Sequence, residues 1–149
     1  MRGVVQRVSR ARVTVDGEVT GEIGKGILLL LGVSEDDTEA NADYVLNKTV
    51  NLRIFEDNEG RMNRALTDIA GDLLVVSQFT LYGDVRKGLR PSFVRAASPD
   101  TANALYEYFV EKAKTVVDKV ETGRFGAMMD VELVNDGPVT ILIDSEKGF

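Results

Sequence analysis

Two segments without a charged residue place the strongest constraint on the fold of this chain. Gly26 to Val33 contains only apolar residues and glycine, and Leu73 to Val76 is apolar at every position. In an extended strand successive side chains point to opposite faces, so both faces of these segments would be apolar. Strands of this kind are buried on both sides. The sequence therefore predicts two buried strands, the second running from Leu73 to Tyr82 and lying centrally in its sheet.

The two ends of the chain are predicted to form β-hairpins. Residues 4–15 alternate approximately between apolar and other side chains, Asp16-Gly17 is a strong hairpin turn signal, and Glu18 to Ile23 would be the returning strand. Near the carboxyl end, a turn at residues 136–138 would separate strands at 127–135 and 139–144. A short strand is also expected at Arg53 to Glu56, closed by the turn-forming residues 57–60.

Two segments have the apolar spacing of amphipathic helices. The first is predicted to begin near Asp36, with Glu39 completing a capping box. The second would have Ser98 as its N-cap, Pro99 at the first helical position, and an end at Thr122-Gly123. The apolar positions are Ala42, Val45, Leu46, Thr49 and Leu52 in the first helix, and Ala102, Leu105, Tyr106, Phe109, Ala113, Val116, Val117 and Val120 in the second.

The order of these elements predicts the fold class. Strands do not alternate regularly with helices, which argues against a doubly wound sheet. No repeat, low-complexity tract or linker divides the chain, whose length is typical of one domain. We therefore expect a single α+β domain over residues 1–149, with antiparallel strands and two main helices.

The composition excludes several kinds of enzyme. The 149 residues include no Cys and no His, which excludes thiol nucleophiles, thiolate zinc sites and Ser-His-Asp or Cys-His mechanisms. No P-loop, Rossmann fingerprint or EF-hand loop occurs, and we expect neither a cofactor nor a metal. The longest aliphatic run, Ile27 to Leu31, is too short to span a bilayer. We expect a cytoplasmic protein without a membrane partner.

Basic residues cluster in two places although the net charge is −6. Such clusters usually serve solubility. A basic rim beside a pocket would also suit a short stretch of phosphates, even on an acidic protein. The clusters are Arg2, Arg7, Arg10 and Arg12, which precede the first acidic residue, and Arg86, Lys87, Arg90 and Arg95, which follow the second buried strand.

The segment Ser77 to Thr80 places polar side chains at the end of that strand. It is either a strand emerging into solvent or a pocket wall where backbone groups leave the ladder. Ser77 and Phe79 would face away from Gln78 and Thr80, so all four line one site only if the backbone bends. Hydrogen bonding and a backbone oxyanion hole suit this segment better than a hydroxyl nucleophile, which would need a lysine base. The candidate bases are Lys25 and Lys87.

A second polar segment, Asn135 to Thr140, has two interpretations. It is an ordinary hairpin turn with Pro138 beginning an edge strand, or a rigid recognition loop. In the second case a cis bond between Gly137 and Pro138, uncommon in folded proteins, would hold both carbonyl groups in an unusual orientation that can grip an ammonium group.

Gly123 to Met129 is unusual because it places Phe125 and Met129 among small residues. One interpretation is a helix end with core packing. The other is an apolar slot for a planar base, since nucleobases stack on apolar and aromatic side chains.

Together these segments resemble the signature motifs of the D-aminoacyl-tRNA deacylases, also called D-tyrosyl-tRNA deacylases. The motifs are Ser77-Gln78-Phe79-Thr80-Leu81-Tyr82 and Asn135-Asp136-Gly137-Pro138-Val139-Thr140. The resemblance extends over essentially the whole chain, to about Asp144, through four further stretches. These are Met1 to Val8, Asn51 to Phe55, Arg90 to Phe93 and Phe125 to Met129.

The resemblance implies a homodimeric hydrolase with a barrel-like β core. Such an enzyme cleaves the ester between a D-amino acid and the terminal ribose of tRNA, clears mischarged glycyl-tRNA and spares L-aminoacyl-tRNA. Its partner is the acceptor end of aminoacyl-tRNA, and each active site lies at the dimer interface, completed by the partner's Gly-Pro motif. It needs no cofactor, because a bound water, an oxyanion hole and the ribose 2′-hydroxyl suffice for an activated ester. No covalent intermediate with the protein is expected.

The resemblance also assigns roles to residues. Gly137 and Pro138 would form the chirality filter, with Arg7 holding them in place. The segment lining the catalytic site would be Ser77, Gln78, Phe79 and Thr80, with the oxyanion hole near Phe79 and Thr80. The side chains enclosing the terminal adenosine would be Phe125 and Met129.

Two other functions stay open at this point. A noncatalytic module that binds the tRNA acceptor end would use the same basic rim and adenosine slot, and would release no amino acid. A carboxylate-metal hydrolase would lose its activity to a chelator and regain it with a divalent ion.

Overall fold

The computed structural model describes all 149 residues, arranged as eight strands, two α-helices and one short 3₁₀ helix. The strands are β1 (Arg2–Val15), β2 (Glu18–Ile23), β3 (Gly26–Gly32), β4 (Phe55–Glu56), β5 (Met62–Arg64), β6 (Asp72–Ser77), β7 (Val120–Thr122) and β8 (Asp130–Asp144). The helices are α1 (Glu39–Asn51), the 3₁₀ helix (Phe79–Tyr82) and α2 (Pro99–Ala113).

Six of the strands form one mixed sheet in the order β2-β1-β3-β6-β7, with β8 paired along the other edge of β1. The α+β class is confirmed. The pairing is not antiparallel throughout, because β3 with β6 and β6 with β7 run parallel. The connections that contain α1 and α2 are the crossovers that parallel neighbours require.

The sheet nearly closes into a barrel. Strand β2 lies against the far edge strand β7, and Gly21 comes so close to the Thr122 carbonyl that a side chain at this position would collide with it. The Asp16-Gly17 hairpin turn is confirmed, and both of its residues have positive φ, 50° and 80°. The strand expected at Arg53 to Glu56 is confirmed only at Phe55 and Glu56, which form β4 and pair with β5.

The core has two parts, one on each face of the central strands. The helices α1 and α2 cover a cluster of 24 buried residues that includes Leu73 and Val75. A smaller cluster of 8 residues includes Leu74 and Val76 on the opposite face. The expectation that this segment is buried on both faces is therefore confirmed.

The start of α1 lies two residues later than predicted from Asp36. Thr38 is the N-cap, and Asn41 rather than Glu39 completes the capping box. The preceding carboxylate, Asp37, is buried and accepts hydrogen bonds from the Met1 ammonium group at 2.6 Å and from the Ser34 N–H at 2.7 Å. The helix therefore begins only after Asp37 has been used to hold the amino terminus.

The start of α2 is confirmed, with Ser98 as N-cap and Pro99 first in the helix, but the predicted end at Thr122-Gly123 is wrong. The helix ends at Ala113, and Val120 to Thr122 form β7 beside β6. The β-branched residues at 115–117 are weaker helix formers, and β7 gains ladder hydrogen bonds instead. Neither helix combines the length and the apolar composition that crossing a bilayer requires.

The two remaining strand predictions need correction. The predicted strand from Leu73 to Tyr82 ends at Ser77, where the chain turns into the 3₁₀ helix. The predicted carboxyl-terminal hairpin does not form, because β8 continues from Asp130 to Asp144 and pairs with β1 over most of that length.

Candidate functional site

The chain bends sharply at the end of β6. The Gln78 N–H donates to the Leu31 carbonyl at 2.8 Å as the last bond to the sheet, and Gln78 then takes φ −141° and ψ 81° before the 3₁₀ helix. The Gln78 side-chain amide donates to the Thr80 hydroxyl. This is the bend that the sequence required if Ser77 to Thr80 are to line one site.

The bend leaves two backbone donors free of the helix. In the 3₁₀ helix the Leu81 N–H donates to the Gln78 carbonyl at 3.2 Å and the Gly83 N–H to the Thr80 carbonyl at 2.9 Å. The N–H groups of Phe79 and Thr80 come first and have no intrahelical acceptor. Two adjacent N–H donors at the end of a rigid strand can stabilise the oxyanion formed when an ester is attacked.

The exposed Phe79 ring is held from the side. Phe79 is 55% exposed, and the Phe93 ring meets it edge-on with the ring centres 5.1 Å apart. Phe93 reaches this position because the segment between Asp84 and Ser92 folds back on itself through two backbone hydrogen bonds of 2.8 and 3.0 Å. No role for Phe93 was expected from the sequence, in which it is the lone aromatic residue in the basic stretch after the Ser77 segment.

The Gly137-Pro138 motif forms a loop that leaves the β1–β8 ladder. Gln6 pairs with Thr140 and Val8 pairs with Asn135, so residues 136–139 project from the sheet opposite a single residue of β1. The interpretation as an ordinary hairpin turn is therefore wrong. Gly137 and Pro138 are exposed, and the peptide bond between them is cis.

Asn135 closes the base of this loop. Its side-chain oxygen accepts the Val139 N–H at 2.6 Å, and its amide donates to Gln6 at 2.6 Å and to the Val139 carbonyl at 3.1 Å. Sequence reasoning missed this role, although Asn shortly before a Gly-Pro pair is a familiar turn-stabilising position. No side chain donates to the carbonyl of Gly137 or Pro138.

Arg7 contacts the loop from the β1 side. Its guanidinium is buried and donates from Nε to the Asp136 carbonyl at 2.8 Å and from Nη1 to the Ile54 carbonyl at 2.6 Å. The Asp136 carboxylate lies 3.8 Å from Nε. A Cβ on Gly137 would lie 3.0 Å from Arg7 Nη2 and 2.9 Å from Val139 Cγ2. The loop therefore packs tightly onto Arg7.

Within one chain the two motifs lie far apart. Ser77 pairs with Leu31 near the end of β3, whereas Arg7 pairs with Ile27 near the beginning of the same strand. Four residues of strand span about 13 Å, and the three strand spacings from β8 to β6 add about 14 Å at right angles. The structure brings Arg7, Gly137 and Pro138 together and places Ser77 to Thr80 elsewhere.

Phe125 lies at the same end of the sheet as Ser77. Strands β6 and β7 are parallel, and Gly123, which follows β7, donates its N–H to the Val75 carbonyl at 3.3 Å. The half-buried Phe125 ring packs 5.9 Å from that of Tyr106. The segment is therefore the loop after β7, not a helix end. The half-buried Met129 packs on the smaller core cluster, and its sulfur accepts the Arg124 N–H at 3.4 Å.

The two lysines considered as bases make no hydrogen bond to Ser77 or Thr80. The Lys25 carbonyl accepts the Asp72 N–H at 3.0 Å at the beginning of β6, the opposite end from Ser77. Lys87 lies in the exposed segment between Asp84 and Ser92. The geometry favours the backbone N–H groups over a lysine-activated hydroxyl.

Comparison with known proteins identifies the family. The D-Tyr-tRNA(Tyr) deacylase family matches residues 4–144. The chain belongs to this family. A D-aminoacyl-tRNA deacylase of Thermosipho melanesiensis is 61% identical over 100% of both chains. Another, of Symbiobacterium thermophilum, is 63% identical over 100% of this chain and 99% of its own length.

Solved structures agree with this family fold. A structure described as the c-Myc DNA Unwinding Element Binding Protein has a TM-score of 0.92 and 42% identity, covering 97% of this chain and 98% of its own. A probable eukaryotic D-amino acid tRNA deacylase has a TM-score of 0.79 and 18% identity, covering 95% and 97%. The second likeness supports the fold alone.

Proposed function

We propose that this protein hydrolyses the ester bond of D-aminoacyl-tRNA, releasing the D-amino acid and tRNA while sparing L-aminoacyl-tRNA. The observation that carries the proposal is the pair of free N–H groups at Phe79 and Thr80, at the end of the central strand of a chain from this family. Such donors act on the oxyanion of an acyl-transfer reaction, and an aminoacyl ester is the activated acyl group that the family name specifies.

The active site would be shared between two copies of the chain. The separation between the Ser77 segment and the Gly137-Pro138 loop supports this arrangement, because one chain alone does not bring them together. The outer edge of β8 has no partner strand, and its exposed apolar side chains are typical of an interface. These side chains are Leu133, Val134 and Leu142.

In the proposed mechanism a water molecule attacks the ester carbonyl carbon. The developing negative charge would be held by the N–H groups of Phe79 and Thr80. The bond to the ribose 3′-oxygen breaks, and the proton lost by the water reaches that oxygen with help from the neighbouring 2′-hydroxyl. No acyl bond to the protein forms, which agrees with a chain that has no His to activate a hydroxyl. The hydrogen bond from Gln78 would keep Thr80 in position to line the site.

Selection of the D form would depend on the carbonyl groups of Gly137 and Pro138 from the partner copy. They would grip the substrate ammonium group, so an L side chain would be directed into the backbone while a D side chain points to solvent. Rejection by a clash tolerates many D side chains in one pocket. Glycine has no side chain to reject, so we expect activity on glycyl-tRNA.

Phe125 and Met129 would enclose the terminal adenosine. The position of Phe125 at the same sheet end as Ser77 supports this role for the ring. The acceptor end of aminoacyl-tRNA would be the binding partner, and the enzyme would work in the cytoplasm, where charged tRNA is used.

The direct test compares D-tyrosyl-tRNA with L-tyrosyl-tRNA in a deacylation assay, with and without a chelator. We expect rapid release of D-tyrosine, L-tyrosine release at the spontaneous rate, and no effect of the chelator. Equal rates on both esters would overturn the chirality filter, and chelator sensitivity would favour a metal hydrolase.

A second candidate function is nucleic-acid binding without catalysis. It is favoured by the solved structure described as a DNA-element-binding protein, which is 42% identical to this chain. Binding of D-tyrosyl-tRNA without release of the amino acid would support this candidate and overturn the hydrolase.

The role of the RNA is tested separately, with a substrate that ends in 2′-deoxyadenosine and with Thr80→Ala. We expect the deoxy substrate to react much more slowly and Thr80→Ala to retain activity. A deoxy substrate that reacts normally, together with an inactive Thr80→Ala, would reverse the mechanism.

A further inference from the structure

A cleft adjoins the carboxyl end of the 3₁₀ helix, at Tyr82 and Gly83, and has no role in the mechanism above. It has a volume of about 300 Å³, and three of its seven lining residues are arginines. It is contiguous with the proposed catalytic segment, because Gly83 in its wall donates to the Thr80 carbonyl at 2.9 Å. The lining residues are Arg2, Tyr82, Gly83, Asp84, Val85, Arg86 and Arg95.

One wall of the cleft is an aromatic ring between cationic groups. Tyr82 is 3% exposed, and the guanidinium carbons of Arg2 and Arg95 lie 4.6 and 5.8 Å from its ring centre. Two polar atoms here are buried without a hydrogen-bond partner, the Tyr82 hydroxyl and Arg2 Nε. Unpaired buried polar groups are rare and costly in native proteins, and the only charge near Arg2 Nε is the Asp144 carboxylate at 3.8 Å, beyond hydrogen-bond distance.

The Tyr82 hydroxyl remains a proton donor. Burial, and then the negative charge of Asp37, raise the pKa of Tyr82 well above its usual value. A neutral phenol that has lost its contact with water can donate to an anionic oxygen.

The arginines of the cleft are paired, but their partners leave donors free. Arg86 contacts Asp84 at 2.7 Å, Arg95 contacts Glu146 at 3.1 Å, and Arg2 donates to the Leu81 carbonyl at 2.9 Å. The pairs of Arg86 and Arg95 are exposed, and exposed ion pairs contribute little free energy. A guanidinium carries more N–H groups than one carboxylate accepts, so both side chains can also bind a phosphate.

We propose that this cleft binds the nucleotide that precedes the terminal adenosine of the substrate strand, with its phosphate on Arg86 and Arg95 and its base against a guanidinium plane. Single-stranded RNA is typically recognised by arginine contacts to phosphate and by stacking of unpaired bases on aromatic or guanidinium planes. The inference rests on the proposed function, because it requires the ester to lie at Thr80 and the terminal adenosine to lie beside Phe125 and Met129.

The test compares two substrates, D-tyrosyl-tRNA and 3′-D-tyrosyl-adenosine, which lacks the preceding nucleotide. For Arg86→Ala and Arg95→Ala we expect KM for the tRNA to rise about 10-fold more than KM for the adenosine ester, as loss of a charge-assisted hydrogen bond would cause. Each lost phosphate contact should reduce the slope of log affinity against log salt by about 0.7. The matched control is Lys114→Ala, an exposed, ion-paired cation that caps the carboxyl end of α2 outside the cleft and should change neither KM.

A variant expected to lower KM for the tRNA separates a phosphate-binding role of Arg95 from a purely structural one. Glu146→Gln removes the carboxylate that competes for Arg95, so KM for the tRNA should fall, whereas a purely structural ion pair would give an equal or higher KM. Equal effects of the arginine variants on both substrates, or no effect on either, would overturn the proposal. If the wild-type protein hydrolyses neither substrate, the proposed function itself fails, which is a different result from either.

Discussion

The Arg7 side chain ties the exposed Gly137-Pro138 loop to the interior by donating from Nε to the Asp136 carbonyl at 2.8 Å. The same guanidinium donates from Nη1 to the Ile54 carbonyl at 2.6 Å and is 6% exposed as a residue. The buried Arg7 guanidinium therefore holds the loop against Ile54, in the segment that follows α1. Fixing it in advance spares a bound substrate the entropy cost of ordering the loop.

We expect Arg7→Ala to destabilise the protein and to weaken discrimination between D and L substrates. The carbonyls of Asp136 and Ile54 would lose their donor, which costs about 3 kcal/mol in the free energy of unfolding. Arg7→Lys keeps the charge but lacks the fork, and should recover only part of the loss. Urea denaturation and the ratio of D to L deacylation rates measure the two effects. Arg10→Ala, an exposed cation on the same strand, is the control; an equally stable Arg7→Ala would contradict the role of Arg7.

Gly137→Ala should disturb the loop more than an alanine at another glycine. Gly137 has φ +140°, where L side chains are strained, and the new Cβ would lie 2.9 Å from Val139 Cγ2. We expect D-tyrosyl-tRNA hydrolysis to fall about 100-fold if the carbonyl groups of this loop position the substrate. At Gly24 the nearest atom to an added Cβ is 3.8 Å away, so Gly24→Ala is the matched control. Wild-type kinetics in Gly137→Ala would remove the loop from the mechanism.

Phe79→Pro removes the backbone N–H group at the first position of the 3₁₀ helix and so tests whether that group is needed. Proline suits the first position of a helix, and Gln78, at φ −141° and ψ 81°, lies outside the α region that proline disfavours for the residue before it. Phe79→Ala loses the same ring but keeps the N–H, so it is the proper reference. We expect kcat for Phe79→Pro to be about 100-fold below that of Phe79→Ala, the effect of losing one oxyanion donor. Equal kcat values would place the oxyanion elsewhere.

The sequence predicted the parts of this molecule that depend on local chemistry. The Asp16-Gly17 turn requires positive φ, Ser98-Pro99 is a favourable helix start, and Leu73 to Val76 has no polar face. Each of these is decided within a few residues. The bend after Ser77 also has a local basis, because side-chain alternation requires it if Ser77 to Thr80 are to act together, whereas the roles of these residues were implied only by the resemblance to the family.

What the sequence could not predict depends on distant partners. Asp36 suits a helix start locally, but the helix begins only after Asp37, whose carboxylate binds the Met1 ammonium group at 2.6 Å. Val120 fits the apolar stripe of the predicted helix, but in the structure it belongs to β7 and pairs with Leu73 at the edge of β6. The Asp136–Pro138 segment looks like a hairpin turn because nothing local shows that β1 pairs on both sides of it. In each case a tertiary contact overrides a valid local preference.

Tyr106 should make stability depend on pH in the alkaline range. Its hydroxyl donates to the Val75 carbonyl at 2.9 Å, and burial raises the pKa of Tyr106 to about 12. Because the pKa is higher in the folded state, the neutral Tyr106 contributes fully to the free energy of unfolding below its unfolded-state pKa of about 10. This contribution is lost as the pH rises towards the folded-state pKa of about 12. We expect the stability advantage of the wild type over Tyr106→Phe, about 1 kcal/mol at pH 8, to shrink above pH 10. Urea unfolding of both proteins across this range measures it, and a constant difference would contradict the burial effect.

If each active site takes its Ser77 segment from one copy and its Gly137 loop from the other, two inactive variants should restore activity when mixed. A dimer of Phe79→Pro with Gly137→Ala contains one site in which both changes meet and one site that carries neither. Random exchange at equal amounts makes half of the dimers mixed, so about a quarter of the wild-type activity should return. Each variant incubated alone under the same exchange conditions is the control. A mixture no more active than the mean of its components would show that both segments act within one chain, which the distance between Ser77 and Arg7 along the sheet argues against.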